Sequence, residues 1–202
     1  MPIAKELGLI LPLGEWVLRS VAALIRDWND QGFNGFRVAV NLSAQGFETN
    51  VPKMVRGILR ESGISSDSLG LEITEGVAMK NIDHNIQMLR EPAELGLNIS
   101  IDDFGTGYSS LAYLKRFPLN TLKIDRSFIV DNTNNHDHCA IAKAIIAIGQ
   151  NLRLKVLAEA VATDDQVQLL RESGCDYIQG YYYNKPLPAA EVLPYLRHRG
   201  ML

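Results

Sequence analysis

From Gly14 to Gln31 the chain places Val17, Val21, Leu24, Ile25 and Trp28 at three- and four-residue spacings, the apolar stripe of an amphipathic helix. Gly32 and Gly35 punctuate its end. Strand-like and helix-like runs then alternate. Phe36 to Leu42, Leu69 to Thr74, Asn98 to Asp102, Thr121 to Asp125, Lys155 to Ala160 and Tyr177 to Gln179 read as strands. Pro52 to Glu61, Ile82 to Leu95, Ser109 to Arg116, Ala140 to Asn151, Asp164 to Ser173 and Ala189 to Arg197 read as helices. Such alternation, without long hairpin signals, predicts an α/β fold with a parallel sheet wrapped by helices. An open doubly wound sheet would carry a Gly-rich phosphate fingerprint after its first strand, and Asn41-Leu42-Ser43-Ala44 stands there instead. A (β/α)8 barrel has eight strands in roughly 250 residues, so the expectation is a parallel TIM-type barrel lacking about two strands and about 50 residues.

Composition narrows the partners more than the fold. The 202 residues are 47% hydrophobic and 21% charged, the balance of an ordinary globular domain, and the expectation is one domain over residues 1–202. Lys and Arg total 20 against 23 Asp and Glu, so no general attraction to duplex nucleic acid is expected and any phosphate must be handled locally. Cys139 and Cys175 form no C-x-x-C pair, which argues against a disulfide framework or a thiolate metal site and favours a reducing cytoplasm. No run approaches the roughly 20 apolar residues of a membrane span, so no direct membrane contact is expected of this chain, an expectation compatible with its being the cytoplasmic part of a larger signalling protein.

The chemistry stands at the strand ends. Asn41, Glu72, Asp102 with Asp103, Lys123, Glu159 and Gln179 each close a run that a buried parallel strand would normally keep apolar. In a parallel barrel all strand C-termini open on one face, so these side chains are expected to converge on one cleft. Asn, Glu and Asp offer hard oxygen donors, which suit magnesium, manganese or calcium. Two such ions with a nearby lysine suit metal-assisted phosphoester hydrolysis. The plainer account is a structural ion pair between Lys123 and one carboxylate.

Five stretches, Asn41-Leu42-Ser43, Leu71-Glu72-Ile73-Thr74-Glu75, Asp102-Asp103-Phe104-Gly105-Thr106-Gly107-Tyr108-Ser109-Ser110, Leu122-Lys123-Ile124-Asp125-Arg126-Ser127-Phe128 and Gln179-Gly180-Tyr181, resemble in order and spacing the motifs of the EAL domain. The resemblance spans essentially the whole chain. It implies a bacterial signalling domain with a modified (β/α)8 barrel, which hydrolyses cyclic-di-GMP to linear pGpG with magnesium or manganese and is inhibited by calcium. By the same resemblance Asn41, Glu72, Asp102 and Asp103 are metal ligands, Lys123 positions the attacking water, and Glu159 is a base or ligand beside it. Glu75 would anchor the loop from Asp103 to Ser110, which the family couples to dimerisation. Asp125, Gln179 and Asn41 would line the substrate site, and Tyr183 from the Tyr181-Tyr182-Tyr183 run would stack a base. A homodimer through that loop region or through an opened barrel edge is the expected assembly.

Two departures stand out. The family's EAL tripeptide, with a metal-ligating Glu and nearby substrate-holding Leu and Arg, belongs upstream of a segment that Pro2 to Ile10 already resembles, so the first two strands are expected to be missing. The family's EGVE is Glu159-Ala160-Val161-Ala162 here, with a methyl group where the second carboxylate belongs. Weak or absent turnover is therefore the expectation for this chain, and the alternative is a catalytically inactive cyclic-di-GMP receptor or protein-interaction module. His136-Asp137-His138-Cys139 invites a metal reading, but it follows a polar run that opens a helix, where Asn and Asp serve as caps.

Overall fold

The computed structural model describes residues 7–48, 50–107, 111–130 and 136–200. Tyr108, Ser109 and Ser110 of the expected loop, the opening run through Glu6, the polar run Asp131 to Asn135 and the side chains of His136, Asp137 and His138 lie outside what it describes. In chain order the elements are α1 (Ile10–Asp30), β1 (Val38–Asn41), α2 (Val51–Ser62), β2 (Leu69–Thr74), α3 (Glu75–Ala78), α4 (Ile82–Glu94), β3 (Asn98–Phe104), α5 (Leu111–Leu114), β4 (Thr121–Ile124), α6 (Ser127–Val130), α7 (His136–Asn151), β5 (Lys155–Ala158), α8 (Asp164–Glu172), β6 (Tyr177–Ile178) and α9 (Ala189–His198). Short 3-10 turns at Ala44–Glu48 and Ser66–Ser68 lead into α2 and β2.

The six described strands follow one another in the sheet as they do in the chain, every recorded pairing is parallel, and the architecture is an incomplete TIM-type barrel with flanking helices. Parallel strands are covered on both faces, which explains why Leu69, Leu71, Ile73, Ile99, Ile101, Leu122 and Ile124 are all solvent-excluded. Burying one such side chain contributes about 1.5–3 kcal/mol.

The chain divides into two compact units. The first, residues 1–72, 87–98 and 186–202, holds α1, β1, α2, most of β2 and α9. Its α1 buries Ile10, Leu18, Ala22, Ile25 and Trp28, so of the stripe read from the spacing Ile25 and Trp28 are buried while Val17, Val21 and Leu24 lie half-buried beside them. The helix starts earlier than Gly14 because Pro12 falls in the first turn, where an amide hydrogen has no helical partner to lose. In α2, the Asn50 side chain accepts from the Lys53 amide at 3.0 Å, and Gly63 closes the helix at φ 69°, a left-handed conformation that costs glycine little. Trp28, Phe33 and Leu193 form a cluster under the Arg197 guanidinium, which lies 4.6 Å from the Phe33 ring.

The second unit, residues 73–86 and 99–185, holds β3 to β6 with α5 to α8. Several of its expected elements come out shorter, β5 ending at Ala158 rather than Ala160 among them. The helix read over Ser109 to Arg116 is α5, and the strand read over Tyr177 to Gln179 keeps two residues, because Gln179 already turns its carbonyl to the Val161 amide. No described helix is long and apolar enough to cross a membrane, and Cys139 and Cys175 are both free thiols.

Candidate active site

In β4 all four residues are buried, and the third is Lys123, 3% exposed. An ammonium in such a place must be paired. Lys123 Nζ lies 3.1 Å from Asp102 Oδ1 and 2.7 Å from Glu159 Oε1, so β4 delivers its charge between the ends of β3 and β5. Glu159 stands one residue past β5, where its amide continues the ladder to the Ile124 carbonyl at 3.3 Å.

Asp102 and Asp103 are consecutive on a strand, where successive side chains point to opposite faces. Here they do not stay opposed. The β3–β4 register steps from Ile101↔Leu122 to Phe104↔Ile124, so β3 carries one residue more than its partner, and Asp103 takes φ 55°. This is a β-bulge, a device that re-aims a side chain. As a result Asp102, Asp103 and Glu159 each offer a carboxylate oxygen within 4.8 Å of one another. Burial and the charges of Asp102 and Asp125 push the Asp103 carboxyl above the ordinary aspartate range, with Lys123 opposing them. For Asp125, burial acts upward but is outweighed by hydrogen bonds from the Ser127 side chain and amide, which hold the carboxyl below that range.

Three hard oxygen donors, half-buried or buried and mutually repelling, fit a divalent cation such as magnesium or manganese. Asp102, Asp103 and Glu159 are the residues of this unit that would hold it. In the other unit Asn41 and Glu72 are register partners at the C-terminal ends of β1 and β2, with the Leu42 amide bonded to the Glu72 carbonyl at 2.7 Å. Asn41 is exposed and Glu72 half-buried.

Glu75 opens α3 directly after β2 and is 2% exposed. Its Oε2 accepts from the Gly105 amide at 2.9 Å and the Gly107 amide at 3.1 Å, so it gathers the loop that leaves β3 just beyond Asp103. A Cβ on Gly107 would stand 3.0 Å from Glu75 Oε1, so a larger residue there would press on the carboxylate that gathers the loop. Gln179 acts through its backbone: its amide donates to the Ala158 carbonyl at 2.8 Å and its carbonyl accepts from Val161, while its side chain is exposed. Tyr183 is 55% exposed and lines a shallow hollow with Val167, Arg171, Cys175 and Tyr177, none of them a member of the carboxylate cluster. The more voluminous hollow of about 510 Å³ between α1 and α2 contains none of the carboxylates, and its walls are largely self-paired, Arg19 with Glu15 and Glu61.

The bulge escaped the periodicity reading, although one signal was present: two adjacent acids assigned to one site contradict strand alternation. Also missed was Gln166, 6% exposed, which ties the segment after Glu159 to α6. A polar residue in the first turn of a helix reads simply as a cap.

Comparison with known proteins bears on what this arrangement is. The EAL domain family model matches residues 1–186. The bifunctional diguanylate cyclase/cyclic di-GMP phosphodiesterase MucR of Pseudomonas aeruginosa is 43% identical over 194 residues, 96% of this chain and 28% of its own length. The cyclic di-GMP phosphodiesterase NbdA of the same organism is 45% identical over 196 residues, 96% of this chain and 25% of its own. The chain thus spans about a quarter of the length of the curated relatives it matches. Among solved structures, the PaMucR phosphodiesterase in complex with c-di-GMP superposes with a TM-score of 0.91 at 43% identity, over 95% of this chain and 78% of that one. The EAL domain of Mycobacterium smegmatis DcpA gives 0.86 at 35% identity, over 93% and 84%. On the family match and these identities, the chain belongs to the EAL domain family.

Proposed function

We propose that residues 1–202 form a bacterial signalling domain of phosphodiesterase type, acting in the cytoplasm on cyclic-di-GMP and opening it to linear pGpG. The observation that carries this reading is the Asp102, Asp103 and Glu159 carboxylate cluster set against the buried Lys123. Asp102, Asp103 and one oxygen of Glu159 would hold magnesium or manganese, calcium being inhibitory, with Asn41 and Glu72 the further ligands that the family resemblance implies. When bound, such ions polarise the phosphodiester and favour ionisation of an attacking water. Glu159 takes the proton of that water with its other oxygen as the water oxygen attacks phosphorus; the bond from phosphorus to the ribose 3′ oxygen breaks, and that oxygen leaves as a hydroxyl by taking a proton from solvent. Lys123 holds Asp102 and Glu159 at fixed separation and supplies positive charge where the phosphate becomes more negative. Asp125 is held ionised by Ser127 beside the site and, with Gln179, Asn41 and Tyr183, belongs to the substrate-lining set. Glu75 sets the loop beyond Asp103, through which, or through the open sheet edge, the domain pairs with a second copy.

A second reading is a receptor that binds cyclic-di-GMP without cleaving it. Ala162 favours it, because the exposed methyl group stands where the family carries a carboxylate. One experiment separates the two: cyclic-di-GMP binding and pGpG release measured on the same preparation with Mn2+, beside Glu159→Ala. Slow release abolished by Glu159→Ala supports the phosphodiesterase. Binding without release supports the receptor, and neither binding nor release sinks both.

A further inference from the structure

We propose that Gln166, which touches none of the clustered carboxylates, is the positioning residue that fixes Glu159 among them, by clamping the strained turn that follows it. The inference rests on the reading of Glu159 as a member of the metal site. Directly after Glu159 the chain passes through Ala160 at φ 55°, a left-handed conformation that a residue with a Cβ adopts at a cost. Such a conformation persists only where the surroundings impose it. One side of the turn is imposed by the end of β6: the Val161 amide donates to the Gln179 carbonyl at 3.1 Å, and the Tyr182 amide donates to the Val161 carbonyl at 3.0 Å. Gly180 closes in there, because a Cβ on it would stand 2.2 Å from the Val161 oxygen and 2.4 Å from its nitrogen.

The other side is the first turn of α8, where the Thr163 side chain and carbonyl accept from the Gln166 amide at 3.3 Å and the Val167 amide at 3.1 Å, and where the Gln166 side chain takes the amides of the turn itself. Its Oε1 accepts from the Ala162 amide at 2.7 Å and the Thr163 amide at 3.1 Å. Its Nε2 donates to the Ile129 carbonyl at 3.0 Å, in α6, the short helix that begins with the Ser127 bonded to Asp125. One buried amide group therefore spans the segment carrying Glu159 and the segment following Lys123 and Asp125. Without it the Ala162 and Thr163 amides lose their acceptor and the tie to Ile129 is gone, so the turn behind the 2.7 Å approach of Glu159 to Lys123 is held only by β6 and the Thr163 bonds to α8 among the described hydrogen bonds.

The test compares Gln166→Ala and Gln166→Glu, with Gln168→Ala on the same helix as control, since Gln168 bonds only to Glu172 among the recorded partners. Mn2+ affinity is read by electron paramagnetic resonance, thermal unfolding reports folding, and amide hydrogen exchange of the unmodified chain reports the clamp itself. Gln166→Ala should fold and bind Mn2+ roughly 10–100-fold more weakly, the usual cost of losing a residue that orients a ligand. Glutamate keeps the acceptor for both amides at the third position of a helix, where it is well suited, and gives up only the donor to Ile129, so Gln166→Glu should stay within about threefold of the parent. Gln168→Ala should not change the affinity. A folded Gln166→Ala with parental affinity overturns the proposal, as does a Gln166→Glu as weak as the alanine variant. If the alanine variant does not fold, Gln166→Glu and the exchange rates decide: Ala162 and Thr163 amides exchanging as freely as an open loop overturn the clamp. If the unmodified chain takes up no Mn2+, the metal reading falls by itself, and the positioning claim is judged on those exchange rates and on whether Glu159 leaves Lys123 in a crystal structure of the alanine variant.

Discussion

Replacing Lys123 by methionine keeps the length and volume of a side chain that is 3% exposed while removing its charge. In the parent that charge lies 2.7 Å from Glu159 and 3.1 Å from Asp102. Without it, three carboxylates with oxygens within 4.8 Å face one another, and each such pair repels by about 3.5 kcal/mol at an effective dielectric of 20. Part of this is relieved by proton uptake, so the expected loss is that of breaking a buried pair by removing one partner, about 3–5 kcal/mol. For a domain of this size 1 kcal/mol corresponds to roughly 2–4 °C, which places the fall in Tm at roughly 6–20 °C in the presence of a chelator. Adding Mn2+ should then raise the Tm of Lys123→Met more than that of the parent, because the ion restores a cation among the same oxygens. Differential scanning calorimetry with EDTA and with Mn2+ reads both quantities. A loss below about 1 kcal/mol, or an equal Mn2+ effect on the two proteins, would refute the reasoning that Lys123 is the resident counter-charge of a cation site.

Glu75→Ala leaves the Gly105 and Gly107 amides without their acceptor and should cost about 2–4 kcal/mol in urea unfolding, with faster hydrogen exchange at both amides. Gly180→Ala drives a Cβ into the Val161 backbone and should cost at least about 2 kcal/mol by the same measurement, whereas Gly14→Ala, with nothing within 4 Å of its Cβ, should not destabilise. Desolvation acts upward on Asp176, but the Lys155 ammonium at 2.6 Å and the Val156 amide hold its carboxyl below the ordinary aspartate range. A depressed carboxyl contributes stability above its unfolded pKa and loses it as pH falls through the folded one, so Asp176→Asn should flatten the acid limb of a stability–pH curve below about pH 4 and leave its alkaline limb unchanged.

Much of the fold was legible because the polar residues interrupt apolar runs at a price no buried strand would bear unpaired. Glu72, Lys123 and Glu159 each close such a run, and each strand ends within two residues of where its run predicted. The lower legibility of β3 has a local cause: the run Asn98 to Asp102 continues through the bulge to Phe104, and whether a chain bulges depends on its neighbour's register, which no single-strand pattern contains. Gln166 was hidden for a related reason, since its partners at Ala162 and Ile129 lie on two segments 33 residues apart in sequence, brought together only by folding. Exposure of Tyr183 and Gln179 could not be read either, because a two-residue strand carries too short a pattern to assign faces.

The agreement between chain order and sheet order has a consequence for how the molecule is made. From β4 onward each strand pairs with the strand one helical crossover before it, so no strand waits for a partner that has not yet been synthesised. Loop closures stay short and their entropic cost nearly constant from one crossover to the next. A ribosome adds about 5–20 residues per second, slow compared with the docking of one such unit, so the sheet can lengthen at its growing edge while the rest of the chain is still being translated. The edge displayed at each moment is the one the next segment is about to occupy, which limits the time an unpaired strand is offered to other nascent chains.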